Sequence, residues 1–167
     1  MKIVKMLVIC SLFLSMACSK DSNSEVYEYN QNNLTGTYSL KFLESKEVKT
    51  VDVNGFDVIT TTKSKGDTFD ATFAFAPSNT VVKNGSYRIV ETITQGDQTR
   101  ENSYIVILDN EATAYSVQAS VNKLTIDGIT YDVKDFKPTG FRLERSETTI
   151  EANGDKREFT EEMRFEK

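Results

Sequence analysis

Histidine and tryptophan are absent from this 167-residue chain, and cysteine occurs only twice. Without histidine there is no Ser-His-Asp arrangement, no histidine-ligated transition metal, and none of the commonest general base. Without tryptophan, any aromatic ligand platform falls to the 7 Tyr and 10 Phe. Positive charge is also in short supply, with 20 Lys plus Arg against 25 Asp plus Glu, a net charge of −5. Phosphate-backbone binding needs a basic patch, so this balance argues against a nucleic-acid partner. It argues equally against adhesion to anionic lipid through surface charge.

Both cysteines, Cys10 and Cys18, lie close to the start. Lys2 and Lys5 precede a short apolar run over residues 7–14, and Ser15, Met16 and Ala17 lead into Cys18. The run is too short for a permanent span, which takes about 20 residues. Charged start, apolar middle and small-residue end are the pattern of a secretory signal. The segment resembles the signal peptide of a bacterial lipoprotein, with Ser15 standing where leucine is usual. That resemblance implies cleavage before Cys18 and attachment of lipid (palmitate and related acyl chains) to Cys18, the membrane contact of the mature protein. An ordinary cleaved signal and an uncleaved anchor are the alternatives. Cleavage would leave about 150 residues, enough for one domain with a real core. Loss of Lys2 and Lys5 would take the charge from −5 to about −7. With Cys18 acylated, no thiol remains for a disulfide, a zinc thiolate site or a nucleophile.

The chain therefore reads as three pieces: a signal peptide over 1–17, a lipid-anchored flexible tether over 18–33, and a folded domain over 34–167. The tether is polar and without periodicity, and as a coil of about 15 residues it would span roughly 20 Å. From Leu34 onward the period is two. Tyr38, Leu40 and Phe42 alternate with Thr37, Ser39 and Lys41, and Phe69, Ala71, Phe73 and Phe75 share one face. Tyr115, Val117, Ala119 and Val121 alternate again, as do Ile129, Tyr131 and Val133. Residues 160–167 are Glu-rich, yet Phe159, Met163 and Phe165 fit an amphipathic strand. Many short strands in series without helices argue a sandwich or barrel.

Turn chemistry sets the register. Asn54-Gly55 as a two-residue turn pairs Val53 with Phe56 and Val51 with Val58; Asp127-Gly128 pairs Ile126 with Ile129 and Leu124 with Tyr131. Apolar meets apolar in both, as type I′ turns require. At Asn153-Gly154 a two-residue loop would set Leu143 against Arg164. A three-residue loop over 152–154, with Gly154 left-handed, pairs Leu143 with Met163 and Phe141 with Phe165 instead. The same register puts Arg145 opposite Glu161 on an otherwise apolar face. Glu91 interrupts the face of Tyr87, Ile89 and Ile93 in the same way. Such charges sit either at a wet barrel mouth, where an ion pair is worth about 0–1 kcal/mol, or in a cavity, orienting the polar end of an amphipathic ligand.

Leu34-Thr-Gly36-Thr-Tyr38-Ser-Leu40, the strands around residues 69–82, and the hairpin from Leu124 to Val133 followed by Phe141-Arg-Leu143 together resemble the bacterial lipocalin-like lipoproteins. The resemblance covers most of residues 34–167. It implies an all-β fold: an antiparallel up-and-down barrel of about eight strands, either filled by side chains or enclosing one small ligand. It implies a structural role for Gly36 and Tyr38 near the closed end. Phe69, Phe73, Phe75, Tyr87, Tyr115 and Tyr131 line a pocket or form plain core.

The leading expectation is a lipid-anchored, monomeric binding protein of the outer membrane, facing periplasm or exterior. It would hold a small apolar or amphipathic ligand in the barrel. Arg145, Glu161, Glu91, Phe73, Tyr87 and Tyr115 are the candidate ligand-binding residues. The alternative is a filled barrel that binds a protein or glycan through loops near residues 64–67, 95–100 and 109–113. No spacing selects a catalytic carboxylate pair, so a non-enzyme is expected. Asp52, Asp57, Asp67 and Asp70 lack the ordered spacing of a calcium loop, and neither a metal nor another cofactor is implied.

Overall fold

Alternating apolar and polar side chains can satisfy the backbone and bury one face only by pairing into a sheet, and closing that sheet removes its edges. The computed structural model describes residues 27–167; the expected signal peptide, Cys18 and the first part of the expected tether lie outside the described residues. Eight antiparallel strands run up and down in chain order: β1 (Gly36–Val53), β2 (Phe56–Ala76), β3 (Thr80–Gln95), β4 (Gln98–Gln118), β5 (Lys123–Ile126), β6 (Ile129–Lys137), β7 (Gly140–Ile150) and β8 (Lys156–Glu166). β8 pairs back onto β1 and closes the barrel.

The turn registers are those the sequence predicts. Val53 pairs with Phe56 and Val51 with Val58; Ile126 pairs with Ile129 and Leu124 with Tyr131. Leu143 pairs with Met163, Phe141 with Phe165 and Arg145 with Glu161. Gly154 has φ of +91°, and its amide donates to the Glu151 carbonyl at 2.9 Å inside a Glu151–Asp155 closure. That is the bulged three-residue loop.

The barrel has two unlike halves. β5 is four residues long and pairs only with Tyr115, Ser116, Val117 and Gln118 of β4. β6 meets β7 only as far as the Asp132–Glu144 pair. The ring is therefore complete at one end, where the β2–β3 turn and the start of β7 lie. Beyond it, the other strands continue as an open six-stranded sheet in the order β7-β8-β1-β2-β3-β4. The closed end holds the core. Tyr38 meets Phe141 edge-on at 4.9 Å, Phe75 meets Tyr115 at 5.2 Å, and Phe73 meets Phe165 at 5.0 Å. Leu34, Leu124, Leu143 and Val81 fill the gaps between these rings and are fully buried.

Residues 27–33, expected as flexible tether, pack on this closed end. Asn30 caps a single-turn helix α1 (Gln31–Leu34) by accepting from the Asn33 amide at 2.9 Å. One turn is too short to show a helical period. Tyr29 is buried against Phe136 at 5.1 Å, with its hydroxyl donating to the Lys123 carbonyl at 3.0 Å. Tyr27 stacks on the same ring at 5.3 Å. The folded unit thus begins before Leu34, because two tyrosines outweigh the polar composition around them.

Candidate functional site

Inward positions of the open half carry four of the six residues singled out from the sequence. Glu91 and Arg145 lie one pair beyond the core on β3 and β7, Glu161 lies opposite Arg145 on β8, and Tyr87 sits below Glu91. Arg145 Nε donates to Glu161 Oε2 at 2.9 Å, with the two side chains 21% and 15% exposed. The guanidinium lies 4.4 Å over the Phe159 ring and 5.7 Å from the Tyr131 ring. The Tyr104 hydroxyl donates to Glu91 Oε1 at 3.2 Å. Burial raises the Tyr131 hydroxyl well above the usual tyrosine range and raises that of Tyr87 as well, and the Glu161 charge adds to both. Burial, then Glu91, raises Tyr104. Arg145 and Glu161 form a paired, half-buried plug over the apolar core, the guanidinium held by the carboxylate and by the Phe159 ring.

Phe73 and Tyr115 are not part of it. Phe73 packs on Phe165 in the closed end. Tyr115 is 3% exposed, and its hydroxyl donates to the Ala76 carbonyl at 2.7 Å. Both are core, which corrects their assignment as ligand contacts; an inward aromatic looks the same in sequence whether it meets a ligand or another ring. The loops expected to bind also need correcting. Residues 64–67 lie within β2 and residues 109–113 within β4, and of the three segments only 95–100 contains a turn.

One concavity lies on the outer wall of the barrel. An open groove of about 960 Å³ is lined by side chains from β1, β2, β3, β6, β7 and β8. Register resolves them into two cross-strand rows on the solvent face. One runs Val90, Lys65, Glu44, Glu162, Glu144, Asp132; the next runs Thr92, Lys63, Lys46, Thr160, Ser146. None of Tyr87, Glu91, Tyr104, Tyr131 or Phe159 lines it, but Arg145, Glu161, Ser45 and Ser64, the register row between these two, do. Six strands set side by side span roughly 24 Å.

Each acid of the first row is paired with a cation, one in the row and three beside it. Glu44 takes Lys65 at 3.4 Å, Glu162 takes Arg164 at 2.6 Å, Glu144 takes Arg142 at 3.3 Å and Asp132 takes Lys123 at 3.1 Å. At one rim Arg88 clamps Asp67 at 2.6 Å, and this hydrogen-bonded contact holds the Asp67 carboxyl down at about 2. Among the described residues, Lys46 and Lys63 have no such partner within ion-pair distance. Sequence reasoning passed over both, although the Asn54-Gly55 register that pairs Val51 with Val58 also sets Lys46 opposite Lys63.

Among the described residues no group of three or more Cys, Asp or Glu is placed to hold a metal ion, and no helix is long and apolar enough to cross a membrane. Searches of protein-family models, of curated proteins and of solved structures find no match to this chain.

Proposed function

We propose that this protein is a lipid-anchored, lipocalin-like binding module of the bacterial cell envelope whose ligand lies along the outer wall of the barrel. Acylation of Cys18 would supply the membrane attachment in the outer membrane, on its periplasmic or outer side. The carrying observation is the contrast between the two faces: interlocked aromatics fill the closed end, while a groove of about 960 Å³ crosses six strands outside. The groove lining suits a polar chain rich in hydroxyls, namely a glycan. Carboxylates accept from sugar hydroxyls, lysines and hydroxyl side chains donate to them, and Val90 is the one apolar side chain in the lining. An extended peptide joining by strand addition would need an unpaired edge. The middle of the groove floor offers none, because β2, β1 and β8 are paired on both sides there; the free edge of β7 beyond Glu144 lies at its rim, at Arg145 and Ser146.

An array of envelope glycans probed with the processed protein tests the reading. Filling the groove with Ser146→Trp and Thr160→Trp should abolish retention, and Tyr87→Phe inside the barrel should leave it intact. Retention lost in the interior variant and kept in the groove variant would refute it. A second reading, an amphipathic ligand seated in the open half, is favoured by one observation: Tyr104 faces the barrel interior yet is 44% exposed. That outcome of the array comparison would support it.

A further inference from the structure

Directly opposed like charges destabilise a sheet, and the groove contains such a pair. Lys46 on β1 and Lys63 on β2 are register partners on the solvent face. Lysines at the ends of solvated side chains usually relieve this by reaching a carboxylate. Here the neighbouring acids are already taken, Glu44 by Lys65 and Glu162 by Arg164 and Arg142. In an otherwise acidic protein with a net charge of −5, the two cations are left facing each other in the floor of the groove.

Their row adds only hydroxyls. Thr92 pairs with Lys63, Thr160 with Lys46, and Ser146 with Thr160, and all five residues line the same groove. The row therefore presents two ammonium groups flanked by three hydroxyl donors across five strands, with no carboxylate among them. Flanking it lies the row whose acids are each already paired with a cation. This is a complementary arrangement for one chemical group, a tetrahedral oxyanion carrying about two charges, which accepts from ammonium and hydroxyl donors together.

We infer that Lys46 and Lys63, flanked by Thr92 and Thr160 on the adjacent strands, form a subsite for a phosphate group borne by the groove's ligand, with Ser146 further along the row left to the ligand's sugar hydroxyls, so that the ligand is a phosphorylated glycan. The inference rests on the outer-groove reading above. A bound phosphate would also relieve the lysine–lysine repulsion, so binding and barrel stability are linked.

The test is calorimetric titration of the processed protein with inorganic tripolyphosphate, and in parallel with vesicles of phosphatidylglycerol. One saturable site is expected with tripolyphosphate, weakened about tenfold by Lys46→Gln or by Lys63→Gln and lost in the double variant. Lys49→Gln, three residues further along β1 and on its opposite face, should leave it unchanged. Lysine-dependent binding to tripolyphosphate alone places the phosphate on a soluble or polymeric ligand. The same dependence in the vesicle arm places it on a lipid headgroup and overturns the glycan assignment. Absence of lysine-dependent binding in both arms overturns the subsite altogether. If glycan retention is still lost on filling the groove, the outer-groove reading stands and the phosphate inference alone falls; if retention survives, both fall. Circular dichroism of each variant separates these outcomes from misfolding. Lys46→Gln and Lys63→Gln should not lower Tm, since each removes half of a repulsive pair.

Discussion

Removing Arg145 alone should cost more stability than removing both halves of its ion pair. Arg145 and Glu161 are 21% and 15% exposed at 2.9 Å, so water reaches the pair without fully solvating it. Breaking a fully buried pair costs about 3–5 kcal/mol because a charge is left behind; partial exposure brings this to about 2 kcal/mol for Arg145→Met. The lost contact with Phe159 at 4.4 Å adds about 0.5–1 kcal/mol. Glu161→Leu should cost less, about 1 kcal/mol, because Arg145 keeps the Phe159 ring and has Glu147 at 4.0 Å. With both replaced, the apolar pair covers the core and the net cost should be about 1 kcal/mol or below. The cycle therefore carries a coupling of about 2.5–3 kcal/mol or more. Urea unfolding of the four proteins measures it, read from midpoints at constant slope. A double variant whose loss equals the two single losses added together would refute the picture of a mutually satisfied plug.

Four further outcomes follow from the fold. Gly85 has φ of +96°, and an added Cβ would run into the Asp70 carbonyl oxygen; Gly85→Ala should cost about 3 kcal/mol or more in thermal unfolding. Gly55→Ala, with φ of +84° in open space, should cost only about 1 kcal/mol. Tyr29→Ala should remove about 3 kcal/mol, lowering Tm by roughly 10 °C and exposing residues 27–33 to limited proteolysis. Burial holds Tyr38 at about 12 and Tyr87 and Tyr131 above the usual range. The unfolded chain gives up these protons first, from about pH 10, so stability should fall as pH rises above 10; Tyr87→Phe should flatten that slope in a base-titration series.

The strand architecture was legible because period two, glycine turns and register constrain one another. Asn54-Gly55, Asp127-Gly128 and the loop at Gly154 each placed apolar side chains opposite apolar ones, and a slip of one residue would have exposed the core. The same turns paired Arg145 with Glu161 without reference to structure. Local signals failed where a long-range contact decides. Tyr27 and Tyr29 look like tether until Phe136, more than a hundred residues later, is brought beneath them. Phe73 and Tyr115 alternate inward like pocket residues, and only packing shows that their neighbours are other rings. The shortness of β5 leaves half the barrel open, and it was written in the five residues separating Asn122 from Gly128. Its effect appears only when the ring is assembled. The groove is the clearest case, because it is formed by outward positions, which a search for a buried ligand site passes over.

The central claim is that the ligand-bearing surface is the outer wall and the interior is packed. Amide chemical-shift mapping of the labelled protein with an array-retained glycan tests this most directly. The account predicts the largest saturable shifts at Lys46, Lys63, Thr92, Ser146 and Thr160, with Tyr87, Glu91, Tyr104 and Tyr131 unmoved. Saturable shifts centred on those four interior residues, with the outer row silent, would contradict it.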